Sequence, residues 1–198
     1  MKQQSFFRIL ASLLPGNTAP FNAWNWSPAI HLCVFVHKVE GLAQGLYCLP
    51  RSVAGFDALK KGMSDDFRWK EVQGFSNLFL LHEGDVRQIA KTLSCHQPIA
   101  SDSAFSLAML SEFSTNVTSD SWNYRRLFWE CGLLGQILYL EAEAAGLRGT
   151  GIGCFFDDDV HELFSIADDS LQSLYHYTVG TPLDDPRLQT LSAYEHLV

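Results

Sequence analysis

The chain has few basic side chains, and this shortage excludes two classes of partner. It carries 14 Lys and Arg residues against 22 Asp and Glu residues, which gives a formal net charge of -8 at pH 7. Nucleic acids and anionic membranes are bound mainly by clusters of cationic side chains, so we expect neither as a partner. A small anionic cofactor remains compatible, because one phosphate needs only one or two local cations and some backbone N–H groups.

Patterns for metal binding and for a disulfide scaffold are also missing. The sequence has no HExxH, His-x-x-x-His or CxxC spacing, so we expect no metal site. Secreted disulfide scaffolds carry an even and dense set of cysteines. Here the number is odd and the spacings are long: Cys33, Cys48, Cys95, Cys131 and Cys154. The pattern predicts five free thiols, a reducing compartment and a cytoplasmic location.

Long apolar runs are absent as well. No segment approaches the ~18 uninterrupted apolar residues that suggest a membrane span. The apolar run after Lys2 is interrupted by Arg8 and stops at Pro15, without an obvious cleavage site, so we expect no signal peptide. What the chain does have is 198 residues, 47% of them hydrophobic and 18% charged. This length and composition predict one packed domain over residues 1–198.

Helical and strand patterns follow one another without a strict βαβ rhythm, which indicates an α+β fold with a mixed sheet. Helices are predicted over residues 4–14, 84–95 and 157–164. Strands are predicted over residues 31–38, 45–49 and 174–179, with the first two forming a hairpin. Residues 104–113 fit a central strand or a helix, residues 77–81 fit a short strand or a loop edge, and residues 114–121 are predicted to be a polar loop.

A long helix that is apolar on most of its surface is predicted from Tyr124 to Gly146. One apolar stripe consists of Leu127, Cys131, Leu134 and Leu138, and a second of Trp129, Leu133, Ile137 and Leu140. A surface helix would show a single stripe. We therefore expect this helix in the middle of a domain or of a dimer, where it would hold the segment that follows it on a rigid element.

A glycine-rich turn, Gly149-Thr150-Gly151-Ile152-Gly153-Cys154, follows the helix. It does not match the dinucleotide-binding fingerprint, which needs a glycine at the position of Cys154 and joins a strand to a helix. Without Cβ atoms, glycines let a flat ligand lie against the backbone and accept hydrogen bonds from N–H groups. A helix C-cap at Gly146 with a tight turn into a strand explains the glycines without a ligand, and the residues alone favour that explanation.

Several segments, taken in order, resemble the nitroreductase family of flavoproteins and in particular its SagB-type dehydrogenase and oxidase branch. In and after the long helix they are Gly132, Gln136, Leu138, Leu140, Ala142, Gly146-Leu147 and the turn that contains Gly151-Ile152-Gly153-Cys154-Phe155. Elsewhere they are Val39 to Leu42, Gly45 to Tyr47, the helix after Asp157, and Val179 to Pro182. The resemblance extends from Pro28 to Arg187 and leaves residues 1–27 as an atypical or truncated segment.

This resemblance implies a nitroreductase-like α+β fold, with a mostly antiparallel mixed sheet flanked by helices and a long buried helix at a dimer interface. It implies FMN as cofactor, NAD(P)H as an electron donor, and electron transfer through flavin N5. The substrate would be a small aromatic, quinone, nitro or peptide-heterocycle compound. Gly151, Ile152, Gly153 and Cys154 would lie along the flavin ring, with the Gly153 N–H at N5, and Arg187 would contact the phosphate. Such an amide needs no ionisable catalytic side chain.

The chain departs from the family near its beginning. The basic Arg-Arg-Ser-type motif that binds the FMN phosphate is missing, because Arg8 is the only arginine before residue 50. Asn22-Ala23-Trp24 stands where the family has a Ser-Ala-Gly-type loop, and Trp24 and Trp26 either stack on a flat ligand or cover the core. Two hypotheses stay open. The chain is an FMN-dependent oxidoreductase that works as a homodimer, or it is a non-catalytic nitroreductase-like module, like the second half of a tandem protein, that serves as a dimerisation or scaffold partner.

Overall fold

A computed structural model describes residues 1–197, in which a seven-stranded sheet is flanked by helices. The strands are β1 (Ile30–Val36), β2 (Gly45–Leu49), β3 (Lys70–Val72), β4 (Phe75–Glu83), β5 (Phe105–Glu112), β6 (Arg148–Ile152) and β7 (Leu171–Gly180). The α-helices are α1 (Gln3–Ser12), α2 (Val53–Gly62), α3 (Arg87–Leu93), α4 (Pro98–Asp102), α5 (Phe113–Ser119), α6 (Asn123–Ala144) and α7 (Asp157–Phe164). The strand order is β3-β4-β2-β1-β5-β7-β6, and each neighbouring pair is antiparallel. The predicted α+β class and antiparallel sheet are confirmed.

The centre of the sheet is covered on both faces, which explains why β1 reads as a continuous apolar run. Every residue of β1 is buried, and its side chains alternate between two apolar clusters. Leu32 and Val34 pack in the cluster that includes residues of α1 and α6. Cys33 and Phe35 pack in the cluster that includes residues of α2, α3 and α7. A strand buried on both faces loses the apolar-polar alternation of a half-exposed strand.

The ambiguous segments resolve into sheet, and one loop prediction is wrong. Residues 104–113 contain β5, residues 77–81 lie within the nine-residue β4, and the predicted hairpin is β1 with β2. The polar segment 114–121 was expected to be a loop, but α5 covers most of it. Its polar side chains supply local hydrogen bonds: Asn116 Nδ2 donates to the Glu112 carbonyl (2.6 Å), and Ser119 Oγ donates to the Asn116 carbonyl (2.8 Å). A short helix made in this way buries no apolar stripe, so periodicity does not reveal it.

The two stripes of α6 have different surroundings in the single chain. The stripe that begins at Leu127 is buried against the sheet. In the second stripe, Trp129 is 53% exposed and Leu140 is 61% exposed, although Ile137 is buried. The structure therefore leaves part of an apolar helix face uncovered in the single chain, and the dimer interface stays a prediction.

Glu130 lies on the buried side of α6, because a buried cation offsets its charge. Its carboxylate pairs with the Arg51 guanidinium, and both side chains are 1% exposed. Glu130 also accepts the backbone N–H of Ala29 (3.1 Å), and Arg51 donates to the Leu13 carbonyl (2.7 Å). Buried charges persist when they are paired and hydrogen-bonded in this way. The pair ties α6 to the segment before β1, the segment after β2 and the end of α1.

The prediction of five free thiols is wrong, because Cys95 and Cys154 form a disulfide with Cα atoms 5.8 Å apart. They are separated by 59 residues, and the end of α3 is brought beside the segment after β6, where Phe156 N–H donates to the Leu93 carbonyl (2.9 Å). The other three cysteines are free and buried. The inference of a reducing compartment therefore loses part of its basis, and the cytoplasmic location stays a prediction. Among residues 1–197, none of the helices has the length and hydropathy that crossing a bilayer requires.

Candidate functional site

The glycine-rich segment predicted as a turn is mostly strand, because residues 149–152 belong to β6 at one edge of the sheet. Antiparallel pairing with β7 uses alternate amides and leaves the others directed outward. β6 is the terminal strand and pairs with β7 alone. The N–H of Gly151 points away from β7 and donates to the hydroxyl of Tyr139 on α6 (3.1 Å). Alternate amides of a strand point to the same side, so the N–H of Gly153 would face this outer edge if strand geometry continued one residue beyond Ile152, where β6 ends. Within residues 1–197, the Gly153 N–H has no hydrogen-bond partner.

Two of the glycines have a packing explanation. A Cβ atom at Gly149 would lie 3.0 Å from Cζ of Tyr177, and one at Gly151 would lie 3.0 Å from Cζ of Tyr175. The tyrosine rings of β7 thus occupy the space above these glycines, and the ring of Tyr139 meets that of Tyr177 edge-on at 5.1 Å. Sequence reasoning missed this packing. The signal was present in the period-two spacing shared by the two glycines and the two tyrosines.

Gly153 differs from the glycines before it. The nearest atom to a Cβ built on Gly153 is Cε2 of Tyr175 at 3.9 Å, an ordinary contact, and the residue is exposed. Ile152 is only 3% exposed and anchors the turn in the protein, while Cys154 is exposed and held in the disulfide. Of the four residues predicted to line a flat ligand, Gly153 therefore presents the accessible backbone, and no neighbouring side chain requires a glycine there.

Two cavities flank the turn. One of about 210 Å³ lies between α6 and β7 and is lined by Phe128, Cys131, Gly132, Gly135, Gln136, Tyr139, Tyr175 and Tyr177. The other, of about 520 Å³, lies at the start of β6 and includes Arg148, Thr150, Thr178, Ser103 and Gly180. Small-molecule pockets usually enclose about 300–1,000 Å³. The cavity beside the tyrosines is thus too small to enclose a tricyclic ring without a further wall.

Tyr175 and Tyr177, two of the residues that line the smaller cavity, remain protonated at neutral pH. Burial raises the pKa of Tyr177 and of Tyr175, with the neighbouring phenols adding to the effect. The Tyr177 hydroxyl is buried beside the Tyr139 phenol. Among residues 1–197 it has no hydrogen-bond partner of ordinary geometry. These phenols can therefore donate hydrogen bonds but cannot serve as bases.

The predicted phosphate contact, Arg187, is not brought to the turn by any contact that the structure describes. Its side chain is 86% exposed and donates to Asp185 (2.6 Å), a hydrogen bond that lowers the pKa of the aspartate. The cation that does belong to β6 is Arg148, which sequence reasoning did not select. Arg148 bonds to Glu143 at 2.8 Å, and both side chains are largely exposed. Both cations are thus engaged with a carboxylate in solvent.

The tryptophan loop lines a separate cavity of about 490 Å³. Its walls are Pro15, Gly16, Asn17, Phe21, Asn22, Trp24, Trp26, Pro28 and Arg51. Trp24 and Trp26 meet edge-on at 5.0 Å, and the Arg126 guanidinium lies 5.7 Å from the Trp26 ring. The Trp24 indole N–H is buried without a partner among residues 1–197. The two indoles pack on each other, as expected if they cover the core, and they also line a cavity, as expected if they stack on a flat ligand.

Comparison with known proteins agrees with the fold. A model described as the nitroreductase family matches residues 78–181, just over half of the chain. A candidate nitroreductase from Anabaena variabilis is similar with a TM-score of 0.69 and 21% identity, over 92% of this chain and 34% of that protein. The E. coli microcin synthetase McbBCD complex, solved with truncated pro-MccB17 bound, is similar with a TM-score of 0.64 and 15% identity, over 93% of this chain and 65% of that one.

A third solved structure, NfrA1 of B. megaterium, is similar with a TM-score of 0.57 and 12% identity, over 100% of this chain and 65% of that protein. The chain thus spans about a third of the length of the Anabaena protein and just under two thirds of the other two. At these identities the likeness shows the fold. No curated protein matches the sequence.

Proposed function

Because the chain belongs to the nitroreductase family, we propose that it acts as an FMN-dependent oxidoreductase with the Gly153 amide at flavin N5. Family members generally bind FMN and use NAD(P)H as donor, and the bound flavin supplies two-electron chemistry at N5. The observation that carries the proposal is that Gly153 is an exposed residue whose N–H has no hydrogen-bond partner among residues 1–197. A fixed amide donor stabilises charge that develops at an adjacent atom without any proton transfer by the protein.

The residues around Gly153 hold this amide in place. Tyr139 accepts the neighbouring Gly151 N–H at 3.1 Å and so keeps the edge strand against α6. Tyr175 lies beneath the turn, and the buried side chain of Ile152 anchors it. A site built on a strand and a helix is held more accurately than one on a free loop. We assign no catalytic acid or base.

The remaining wall of the site would come from a second protein surface. The cavity beside Gly153 is too small on its own, and the exposed apolar residues of α6, which include Phe128, Trp129 and Leu140, lie on the helix that lines it. We therefore propose a homodimer, or a complex with a nitroreductase-like partner domain, formed over this face. Residues 1–198 would be one such domain, with residues 1–27 as its atypical part.

The substrate class follows from the family branch. The resemblance to SagB-type dehydrogenases and oxidases, with the fold likeness to the microcin synthetase complex, supports a place in that branch and in a multi-subunit assembly. The substrate would be a small aromatic, quinone, nitro or peptide-heterocycle compound that stacks on the open face of the ring. The cytoplasm is the expected location.

A second candidate function is a non-catalytic nitroreductase-like module that has lost FMN. The pairing of Arg148 with Glu143 and of Arg187 with Asp185 favours it, because neither cation is free for a phosphate. In that case the uncovered face of α6 would serve dimerisation or scaffolding alone.

An FMN titration of the purified chain at low and high protein concentration, with size measurement, separates the two functions. We expect flavin absorbance to accompany the larger species, and the bound fraction to rise with protein concentration. Gly153→Val should lower FMN affinity more than tenfold without loss of thermal stability, because its Cβ has no close neighbour. Ala54→Val is the control, since Ala54 is exposed on α2 and lines none of the three cavities described above. If dimers take up no FMN, the non-catalytic module is the correct description.

A further inference from the structure

The Cys95–Cys154 disulfide joins the turn after β6 to the turn after α3, and solvent reaches it from one side. Cys154 directly follows Gly153 and is exposed, while Cys95 is half-buried. The Cα separation of 5.8 Å lies within the range of ordinary disulfides. The Cys154 side is therefore the side from which we expect a thiolate in solution to reach the bond.

The three free cysteines of the described chain are buried and so inaccessible to reagents in solution. Cys33 and Cys48 have no exposed surface, and Cys131 has almost none. Burial raises the pKa of Cys33 and of Cys131, which keeps these thiols protonated and unreactive. Among residues 1–197, accessible redox chemistry is thus concentrated at the disulfide beside the candidate site.

The disulfide also restrains an unfavourable backbone. Cys95 has φ of 53° and His96 has φ of 58°, so two consecutive residues with side chains lie in the left-handed region. Such residues persist only where surrounding contacts hold them. With the bond open, Phe156 N–H would still donate to the Leu93 carbonyl (2.9 Å). Among residues 1–197, the remaining hydrogen bond from the α3 side to Gly153 or Cys154 would be the long one from Gln97 Nε2 to the Cys154 carbonyl (3.3 Å). Opening the disulfide should therefore loosen the turn and leave the fold intact.

We propose that Cys95 and Cys154 form a reversible redox site that fixes the position of the Gly153 amide. A small dithiol is the reductant: one of its thiolates attacks the Cys154 sulfur, and Cys95 leaves as a thiolate and takes up a proton. The second thiol of the reductant then loses its proton and attacks the mixed disulfide, which releases Cys154 as a thiol. Two electrons pass to the protein, and the dithiol becomes its own disulfide. The effect on FMN rests on the proposed function, whereas the redox site does not.

Alkylation mapping tests the redox site on the full chain. Protein oxidised with glutathione disulfide is treated with iodoacetamide under native conditions, before and after dithiothreitol, and the labelled cysteines are mapped by mass spectrometry. We expect label at Cys95 and Cys154 only after dithiothreitol, and recovery of the bond on reoxidation. The three buried cysteines should stay unlabelled throughout and serve as internal controls. Label at the pair without reductant, or a bond that survives dithiothreitol, would overturn the proposal.

Hydrogen exchange tests whether the bond fixes the turn. Amides of residues 150–156 should exchange at least about threefold faster after reduction, while amides of the central strands stay unchanged. Cys95→Ser is the matched variant: its turn should exchange fast with or without dithiothreitol. Equal exchange in the oxidised and reduced wild-type protein would contradict the restraint.

FMN affinity, measured in the same samples, should fall on reduction of the wild-type protein and be insensitive to dithiothreitol in Cys95→Ser. Equal FMN affinity in both redox forms would remove the regulatory part of the proposal. Absence of FMN uptake in every sample would contradict the proposed function instead, and alkylation and exchange would still decide the redox site.

Discussion

Alanine substitutions at Gly149, Gly151 and Gly153 should destabilise the protein to different degrees, in the order in which the tyrosines crowd them. A Cβ at Gly149 would lie 2.8 Å from Cε1 and 3.0 Å from Cζ of Tyr177, whose side chain is fully buried and so has less freedom to shift than an exposed one. Overpacking of this kind costs about 1–3 kcal/mol, and we expect Gly149→Ala near the upper end. Gly151→Ala meets Tyr175 instead, which is half-buried and can shift, so its cost should fall near the lower end.

Gly153→Ala should be neutral or slightly stabilising, because its Cβ meets nothing closer than 3.9 Å. Replacing a glycine at a compatible position reduces the entropy of the unfolded chain and stabilises by about 0.4–1 kcal/mol. For a domain of this length, 1 kcal/mol corresponds to a change of about 2–4 °C in Tm. Thermal and urea unfolding followed by circular dichroism can therefore resolve the series.

Tyr177→Phe tests the cause of the largest effect. The variant removes a buried hydroxyl that has no partner among residues 1–197, so alone it should cost little. In the double variant with Gly149→Ala it should recover part of the lost stability, because the hydroxyl is the atom nearest to the new Cβ. Equal losses at all three glycines, or strictly additive effects in the double variant, would refute the packing explanation.

Two further predictions concern buried charge and pH. Glu130→Gln should lower the free energy of unfolding by about 3–5 kcal/mol, because it leaves Arg51 buried without its counterion. Glu141→Gln is the control: it breaks a partly exposed pair with Arg8 and should cost about 1 kcal/mol or less. Equal losses of the two variants in urea unfolding would contradict this prediction. Burial lowers the pKa of His37 from 6.5 to about 4, so the folded protein favours the neutral ring. The contribution of His37 to the free energy of unfolding is therefore complete above pH 6.5 and is lost as the pH falls toward 4. This loss is about 3 kcal/mol at most. His37→Gln should flatten the dependence of unfolding free energy between pH 7 and 4.5, and an unchanged slope would count against it.

The elements that sequence patterns predicted share one property: their signal is local. The apolar run of β1, the stripes of α6 and the hairpin to β2 are each set by neighbouring residues. The features that were missed depend on residues far apart in the chain. The disulfide joins positions 59 residues apart, and the burial of Glu130 depends on Arg51, which lies on another element. Only the assembled sheet and helices place such pairs together.

In the candidate site, too, the features with a local signal were predicted and those that depend on distant residues were missed. The glycine-rich segment does follow the long helix, but residues 149–152 form the edge strand β6 instead of the predicted turn, and a ligand there stays a prediction. The reason for Gly149 and Gly151 could not be read from the turn itself, because it depends on the register that sets β6 against the tyrosines of β7. A shift of one residue in that pairing would move the tyrosines to the other face. The contribution of Gly153 to ligand binding stays a prediction.

The exposed face of α6 and the edge of β6 cannot be treated as two independent surfaces, because Tyr139 belongs to both. Its ring is 43% exposed on the helix, lines the cavity beside the turn, and its hydroxyl holds the Gly151 N–H. A partner that covers the apolar residues of α6 would also close that cavity and exclude water from the Gly153 amide. The free energies of partner binding and ligand binding would then be coupled, and the coupling must be equal in both directions. A flavin that binds more tightly to the dimer must strengthen the dimer by the same factor.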